Sequence, residues 1–274
     1  MIKNNFHIYT LVAFFSTLIL IGCSGQDTGK LIDIALEAEH RTPSYIERDK
    51  FRNPKETLLF FGFTPEQSVV EITPGYGWYT EILAPLIRDK GQYYYTSLKL
   101  HEKINPYFVK VEQAFKEKMK MNPDVYNQLR WVHFDPKQPN FAPDGPVDMI
   151  LTFRNVHNWA KAGSAEAMFA GFSKALKPGG ILGLVEHRAK AGTPLQKQIL
   201  SGYMTVDYVV QMAKDAGFRL DATSEINANP KDTADHPKGV WNLLPNLRGV
   251  KDEDKAKIMS IGESDRMTLR FVKE

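Results

Sequence analysis

The chain has 274 residues, a formal net charge of +3, 43% hydrophobic residues and a single cysteine. So near a balance of charge does not point to nucleic-acid binding. One cysteine excludes an internal disulfide, so the core alone must hold the fold, and the length suits one α/β domain.

The N-terminus reads as an export leader. Lys3 precedes an apolar run from Ile8 to Ile21, the length of a signal-peptide core and too short for a comfortable membrane span. The run stops at Leu20-Ile21-Gly22-Cys23, which resembles a bacterial lipobox. That resemblance implies a lipoprotein signal peptide over residues 1–22, with Cys23 as the lipidated first residue of an envelope protein anchored in a membrane. Ser24, in place of an Asp, implies the outer membrane where the host has two. An uncleaved anchor, or a secretory signal with a chance cysteine, are the other readings. Lys3 is the leader's only charge, so the mature chain would carry +2.

Residues 23–65 read as a tether and a helical arm. Gln26 to Lys30 is a polar tether, and Leu31, Ile34, Ala35 and Ala38 have helical spacing. Arg41 to Arg52 is dense in charge and predicts an arm lying over the domain. Pro54 opens a second helix that ends near Gly62. From residue 66 to 274, strands and helices alternate. Strands are expected at Ser68 to Ile72, Gln92 to Thr96, Arg130 to Phe134, Val147 to Thr152, Ile181 to Glu186, Phe218 to Ser224 and Met267 to Val272. Helices are expected at Trp78 to Ile87, Pro106 to Met121, Ser164 to Leu176 and Thr205 to Ala216. This predicts a doubly wound, seven-stranded, mostly parallel sheet. The long polar segment 225–265, with a helix-like stretch from Asp252 to Ile261, reads as a functional loop.

The first strand runs into Glu71-Ile72-Thr73-Pro74-Gly75-Tyr76-Gly77. A dinucleotide loop would need a third glycine at Thr80 and an acid ending the second strand, and a phosphate loop would need Gly-Lys-Ser/Thr. All are missing. A ligand without a pyrophosphate fits better, and S-adenosyl-L-methionine (SAM) is one. Gly75 and Gly77 let backbone approach its methionyl part, and the helix from Trp78 offers amides to its carboxylate. The rings of Tyr76, Trp78 and Tyr79 suit a cation. A glycine-rich turn with no ligand remains the other reading. Asp135 ends the third strand, the polar run Arg154 to Trp159 ends the fourth, and Glu186-His187-Arg188 ends the fifth. In such a sheet these ends share one cleft.

From about Glu66 onward the chain resembles the class I SAM-dependent methyltransferases. EITPGYG is similar to the first motif of that family. LTFRNVHNW and FSKALKPGGILGLVEH resemble the ubiquinone/menaquinone C-methyltransferase branch. The layout, with a later NPKDT, also looks like a group of exported proteins known mainly as predicted methyltransferases. The resemblance implies a Rossmann-like sheet with its last strand antiparallel, and SAM as cofactor. It also implies Glu71, Thr73, Pro74, Gly75, Gly77 and Trp78 around the methionyl side, Asp135 at the adenine and Asn155 near the transfer axis. Two departures stand out. Thr73 replaces the first glycine, and Ser97 stands near the place of the acid that grips the ribose, with Glu102 as a substitute from the next loop.

Methyl transfer needs an acceptor held in line and, where the acceptor must lose a proton, a base. His157 and His187 are the candidate catalytic bases, and Glu186 a partner for one of them. A rim residue and a solvated strand end are the plainer readings of the two histidines. His40, His133 and His236 read as structural, and no spacing suggests a metal site. Arg154 either grips an acidic acceptor or braces its loop. Asn227 to Thr233, with Trp241, reads as an ordinary loop or a lid. Arg41, Arg48 and Arg52 either cover the cleft or pair with Glu47 and Asp49. The expectation is a lipid-anchored methyltransferase for a small-molecule acceptor. Because SAM is made inside the cell, the alternative is an envelope binding protein that keeps the fold without the transfer.

Overall fold

The computed structural model describes residues 24–102 and 104–274. The expected leader, residues 1–22, and the expected lipidation site Cys23 lie outside the described residues. Among the described residues no helix is long and apolar enough to cross a membrane.

The arm comprises α1 (Ser24–Leu36), α2 (Pro43–Ile46), α3 (Asp49–Arg52) and α4 (Pro54–Phe61). The segment expected as a polar tether is helical, because Ile32 and Ala35 bury beside Leu58, Phe61 and Ile82. Gly62, at φ 75°, ends α4 where expected. The sheet region then runs β1 (Ser68–Ile72), α5 (Thr80–Ile87), β2 (Gln92–Leu98), α6 (Pro106–Met121), α7 (Pro123–Tyr126), β3 (Arg130–Phe134) and β4 (Val147–Phe153). It continues with α8 (Val156–Ala162), α9 (Ala165–Ala175), β5 (Leu176–His187), α10 (Leu195–Ser201), α11 (Val206–Asp215) and β6 (Phe218–Ser224). A 3-10 turn at Gly239–Asn242, α12 (Asp252–Ile261) and β7 (Arg266–Lys273) close the chain.

Three differences from expectation bear on the strand ends. The helix expected from Trp78 begins at Thr80, because Gly77 N–H closes a turn onto the Pro74 carbonyl at 3.1 Å. β5 starts at Leu176, ahead of the Lys-Pro-Gly-Gly turn, and its register against β4 shifts between Val147 and Met149. The polar run after β4 is the start of α8.

The strands lie in the order β3-β2-β1-β4-β5-β7-β6. β1 pairs with β2 and β4, β2 with β3, and β4 with β5, all parallel. β7 runs antiparallel between β5 and β6, as expected for the last strand. That slot explains why no crossover helix joins β6 to β7. Successive residues of the central strands bury on opposite faces. Val70, Ile150 and Leu182 join Phe169 and Phe172 on one side, while Val69, Met149 and Leu151 meet Phe61 and Leu83 on the other. From β1 the chain winds outward to β3, and from β4 the other way. The switch point is therefore the gap between β1 and β4, and their carboxyl ends open the cleft there.

Gly183 sits on β5 where α4 packs against the sheet. A Cβ there would stand 2.7 Å from both Leu151 and Phe61. Gly183→Val is expected to lower unfolding free energy by about 1–3 kcal/mol through overpacking, measured as a shift in the urea midpoint at unchanged slope.

Candidate functional site

The loop after β1 is strained and anchored. Thr73 takes φ 43°, and its N–H donates to Thr96 Oγ1 at 3.0 Å. Its own hydroxyl is buried with no partner. Gly75 takes φ 64°, no atom lies within 4 Å of where its Cβ would stand, and its carbonyl accepts from the Tyr95 hydroxyl at 2.7 Å. The space beside Gly75 is therefore open. Gly77 differs, since a Cβ there would come 2.7 Å from the Phe115 ring, so this glycine serves the packing of α6. The Tyr76 carbonyl accepts from the Tyr45 hydroxyl and from Lys118 Nζ, at 3.3 and 3.0 Å. Trp78 is buried, with its indole N–H on the Tyr45 carbonyl and the Arg52 guanidinium 4.6 Å over its ring. Its face serves the arm. Tyr79 stacks on Phe153 at 3.6 Å.

Glu71 lies beneath the loop and does not line the cleft. It is 1% exposed and accepts from the hydroxyls of Thr80, at 2.8 Å, and Tyr93. At the end of β2, Ser97 accepts from the Trp131 indole at 2.8 Å and donates to Glu112 at 3.3 Å. Glu112, 4% exposed, also meets Lys116 at 2.7 Å and His133 at 3.2 Å. Burial pushes its carboxyl up, but Lys116 and His133 outweigh this and hold it below the usual range. Glu112 thus brings an acid from α6 to the end of β2, which has none of its own. Its signal in the sequence was an acid on the inward stripe of α6, four residues after Phe108 and three before Phe115. Glu102, the expected substitute, is exposed. Asp135 stands exposed at the end of β3, accepting from its neighbour Lys137 N–H at 2.9 Å.

At the mouth of β4, Asn155 Nδ2 donates to the Ile72 carbonyl at 2.9 Å and so ties β4 to β1. Arg154 takes φ 61°, and its N–H donates to the Val185 carbonyl at 2.7 Å. Its guanidinium hydrogen-bonds to no described residue. Burial first, then Arg266 and Arg48 against the opposing Glu263, brings it down to about 10.

The Glu186 carboxylate gathers three donors. They are His157 N–H at 3.2 Å, His157 Nδ1 at 3.1 Å and His187 N–H at 2.8 Å. His187 Nδ1 meets Ser264 Oγ at 2.5 Å, and burial, then the nearby His157 and Arg154, pulls this imidazole well below its usual range. It is neutral at physiological pH. The Trp241 ring lies 6.2 Å from that of His157. No sequence spacing suggested a metal set, yet His157, Glu186 and His187 each offer a ligand atom within 4.8 Å of the others.

The arm arginines are neither solvated nor paired with Glu47. Arg41 takes Asp49 at 2.6 Å, whereas Arg48 and Arg52 reach Glu263 at 2.6 and 3.1 Å. Arg266 adds a third contact at 3.2 Å. Burial raises the Glu263 carboxyl, but these guanidiniums prevail and bring it down to about 2. The segment 225–265 is pinned from inside. Asn227 Nδ2 donates to the hydroxyls of Thr57 and Thr268, and Asp232 accepts from the Tyr203 hydroxyl and the Asp265 N–H.

The sequence matches no protein-family model and no curated protein. Solved structures do resemble it. A SAM-dependent methyltransferase from Aquifex aeolicus superposes with a TM-score of 0.54 at 15% identity, over 90% of this chain and 99% of that one. The glycopeptide N-methyltransferase MtfA with S-adenosyl-L-homocysteine gives 0.53 at 15%, over 82% and 90%. With SAM it gives 0.52 at 16%, over 81% and 87%. The chain has the class I methyltransferase fold. In this methyltransferase frame Gly75, Ser97, Asp135, Asn155 and His157 stand at or just beyond the carboxyl ends of β1 to β4, whereas Glu71, Gly77 and Trp78 are structural supports.

Burial raises the Glu71 carboxyl from 4.5 to about 7, against the hydrogen bonds from Tyr93 and Thr80. A carboxyl raised in the fold contributes fully below its unfolded value, and that contribution is lost as pH rises through the folded value. Wild-type stability is therefore expected to fall by on the order of 3 kcal/mol between pH 4.5 and 7 from this group. Glu71→Gln is expected to flatten that slope in urea titrations across the same window.

Proposed function

We propose that this chain is a SAM-dependent methyltransferase for a small-molecule acceptor, carried at the cell envelope on a lipid at Cys23. The fold likeness is an analogy at low identity, so the reading rests on the site. One observation carries it: Asn155 joins the mouths of β1 and β4 between two halves of a cleft. On one side lie the open face of Gly75 and the unpartnered Thr73 hydroxyl, on the other the His157–Glu186 pair. These residues fit the cofactor. SAM, when bound, supplies a methyl group already activated on a sulfonium.

The chain's own residues would do the rest. Thr73, Pro74 and Gly75 hold the methionyl end, Asp135 receives the adenine amino group, and Glu112 beside Ser97 takes the ribose hydroxyls. With its Nδ1–H donating to Glu186, His157 has Nε2 available to accept a proton from the acceptor. Trp241 and the pinned segment 225–265 shield that nitrogen from water. His187, kept neutral and bonded to Ser264, adds no competing charge. The commitment of Ser97 to Trp131 and Glu112 favours a second reading, in which the cleft binds its ligand without transferring a methyl group.

Calorimetry of the detergent-solubilised full chain is expected to show micromolar binding of SAM or its demethylated product. Gly75→Arg should abolish it, and Glu112→Gln should weaken it about tenfold. No binding of either at millimolar ligand ends the enzyme reading. If binding is found, methyl-labelled SAM added to envelope extract separates the two readings. Label transfer that falls about 10²-fold or more in His157→Gln supports catalysis with a base. Binding with no transfer supports the binder.

The anchor has its own test. Cys23→Ser is expected to yield an unlipidated precursor when cells are fed labelled fatty acid. Normal labelling of that variant refutes the lipid anchor.

A further inference from the structure

Where the arm meets the start of β7, positive charge exceeds negative. Arg48, Arg52 and Arg266 share the one carboxylate of Glu263. Arg154 lies within electrostatic reach of the same carboxylate, and its guanidinium hydrogen-bonds to no described residue. Arg52 is 3% exposed, yet its Nη2 is buried with no partner, and so is Asn227 Oδ1. Both residues line one small cavity with Arg154 and Arg266, walled by the stacked rings of Tyr79 and Phe153.

Arg52, bonded to Glu263 through Nε, keeps one buried nitrogen without a partner, and three guanidiniums on one carboxylate leave the place short of negative charge. A water molecule would satisfy that nitrogen but not the shortage of charge. The cavity measures about 10 Å³, room for about one water-sized group and too little for a phosphate. Two guanidinium forks beside an apolar wall suit a planar carboxylate. Asn227 serves in either amide orientation, because the Thr268 hydroxyl that holds it can donate as well as accept. The cavity shares Asn227 and Arg266 with a surface cleft of about 360 Å³ that also carries Lys50 and Lys231. That cleft has room for the body of a small ligand and a surplus of positive charge to attract it.

We propose that this cavity takes one carboxylate oxygen of a small organic acid, between Arg52 and Arg154, with the rest of the acid in the cleft that shares Asn227 and Arg266. That the acid is the methyl acceptor rests on the function proposed above; the binding itself does not.

The test uses the full chain at fixed ionic strength, with benzoate and its neutral isostere benzamide as probes. Calorimetry and thermal melts are expected to show benzoate binding and stabilising the wild type, with benzamide doing neither. Arg154→Met should weaken benzoate at least tenfold. It should also melt no lower than wild type without ligand, since it removes a cation with no hydrogen-bonded partner. Equal binding of both probes overturns the proposal. So does unchanged benzoate affinity in Arg154→Met, or a melting point several degrees lower, which would make Arg154 a brace. If Arg154→Met weakens SAM and not benzoate, the cavity serves the cofactor's own carboxylate and the proposal fails. Benzoate binding with no SAM binding would defeat the methyltransferase reading and leave this one standing.

Discussion

One buried carboxylate organises the top of this sheet. Glu263 draws Arg48 and Arg52 out of the N-terminal arm and Arg266 from the start of β7. The arm is thereby fixed over the mouths of β4 and β5. From that contact a chain of others runs to the glycine loop. Arg52 lies over the Trp78 ring, Trp78 donates to the Tyr45 carbonyl, and Tyr45 in turn donates to Tyr76. Desolvating such a cluster costs much of what its attraction returns. Its structural effect is to define where the arm sits, which an apolar contact would specify less sharply.

The cleft itself is shaped by strain held in place. Thr73 and Arg154, at the ends of the adjacent strands β1 and β4, both adopt left-handed backbone without being glycine. Each is held through its backbone N–H, Thr73 by the Thr96 hydroxyl and Arg154 by the Val185 carbonyl. Strain of this kind persists only where surrounding structure over-determines it, and it gathers at functional sites. Here it turns a hydroxyl and a guanidinium away from the ordinary course of their strands. Asn155, the residue after Arg154, then ties the two mouths together.

Much of the fold was legible because parallel strands buried on both faces leave apolar runs bounded by turn residues. Val69-Val70 and Met149-Ile150-Leu151 are such runs, and the glycine loop marks the first crossover. Short helices such as α8 and α10 were not legible, since their few residues carry no period and their stability comes from packing. The candidate site divides in the same way. Gly75, Asn155 and His157 could be placed at the strand ends from the sequence, because the loops that follow parallel strands are marked by turn and polar residues. The contacts of Glu112 and Glu263 were not legible, because each reaches partners distant in sequence from a helix or a loop that looks like ordinary polar surface. Trp78 was assigned to the cofactor because its neighbours suggest it, but burial against the arm gives its ring to Arg52.

By itself the sequence determined the alternation of strands and helices, the glycine loop, and the residue types gathered at the strand ends, because these depend on local period and turn chemistry. Tertiary structure alone decided which charges meet. His157 joins Glu186 across 29 residues, and Arg48 joins Glu263 across 215. Such pairings follow from where the sheet places each loop, and no local rule encodes a distance in space.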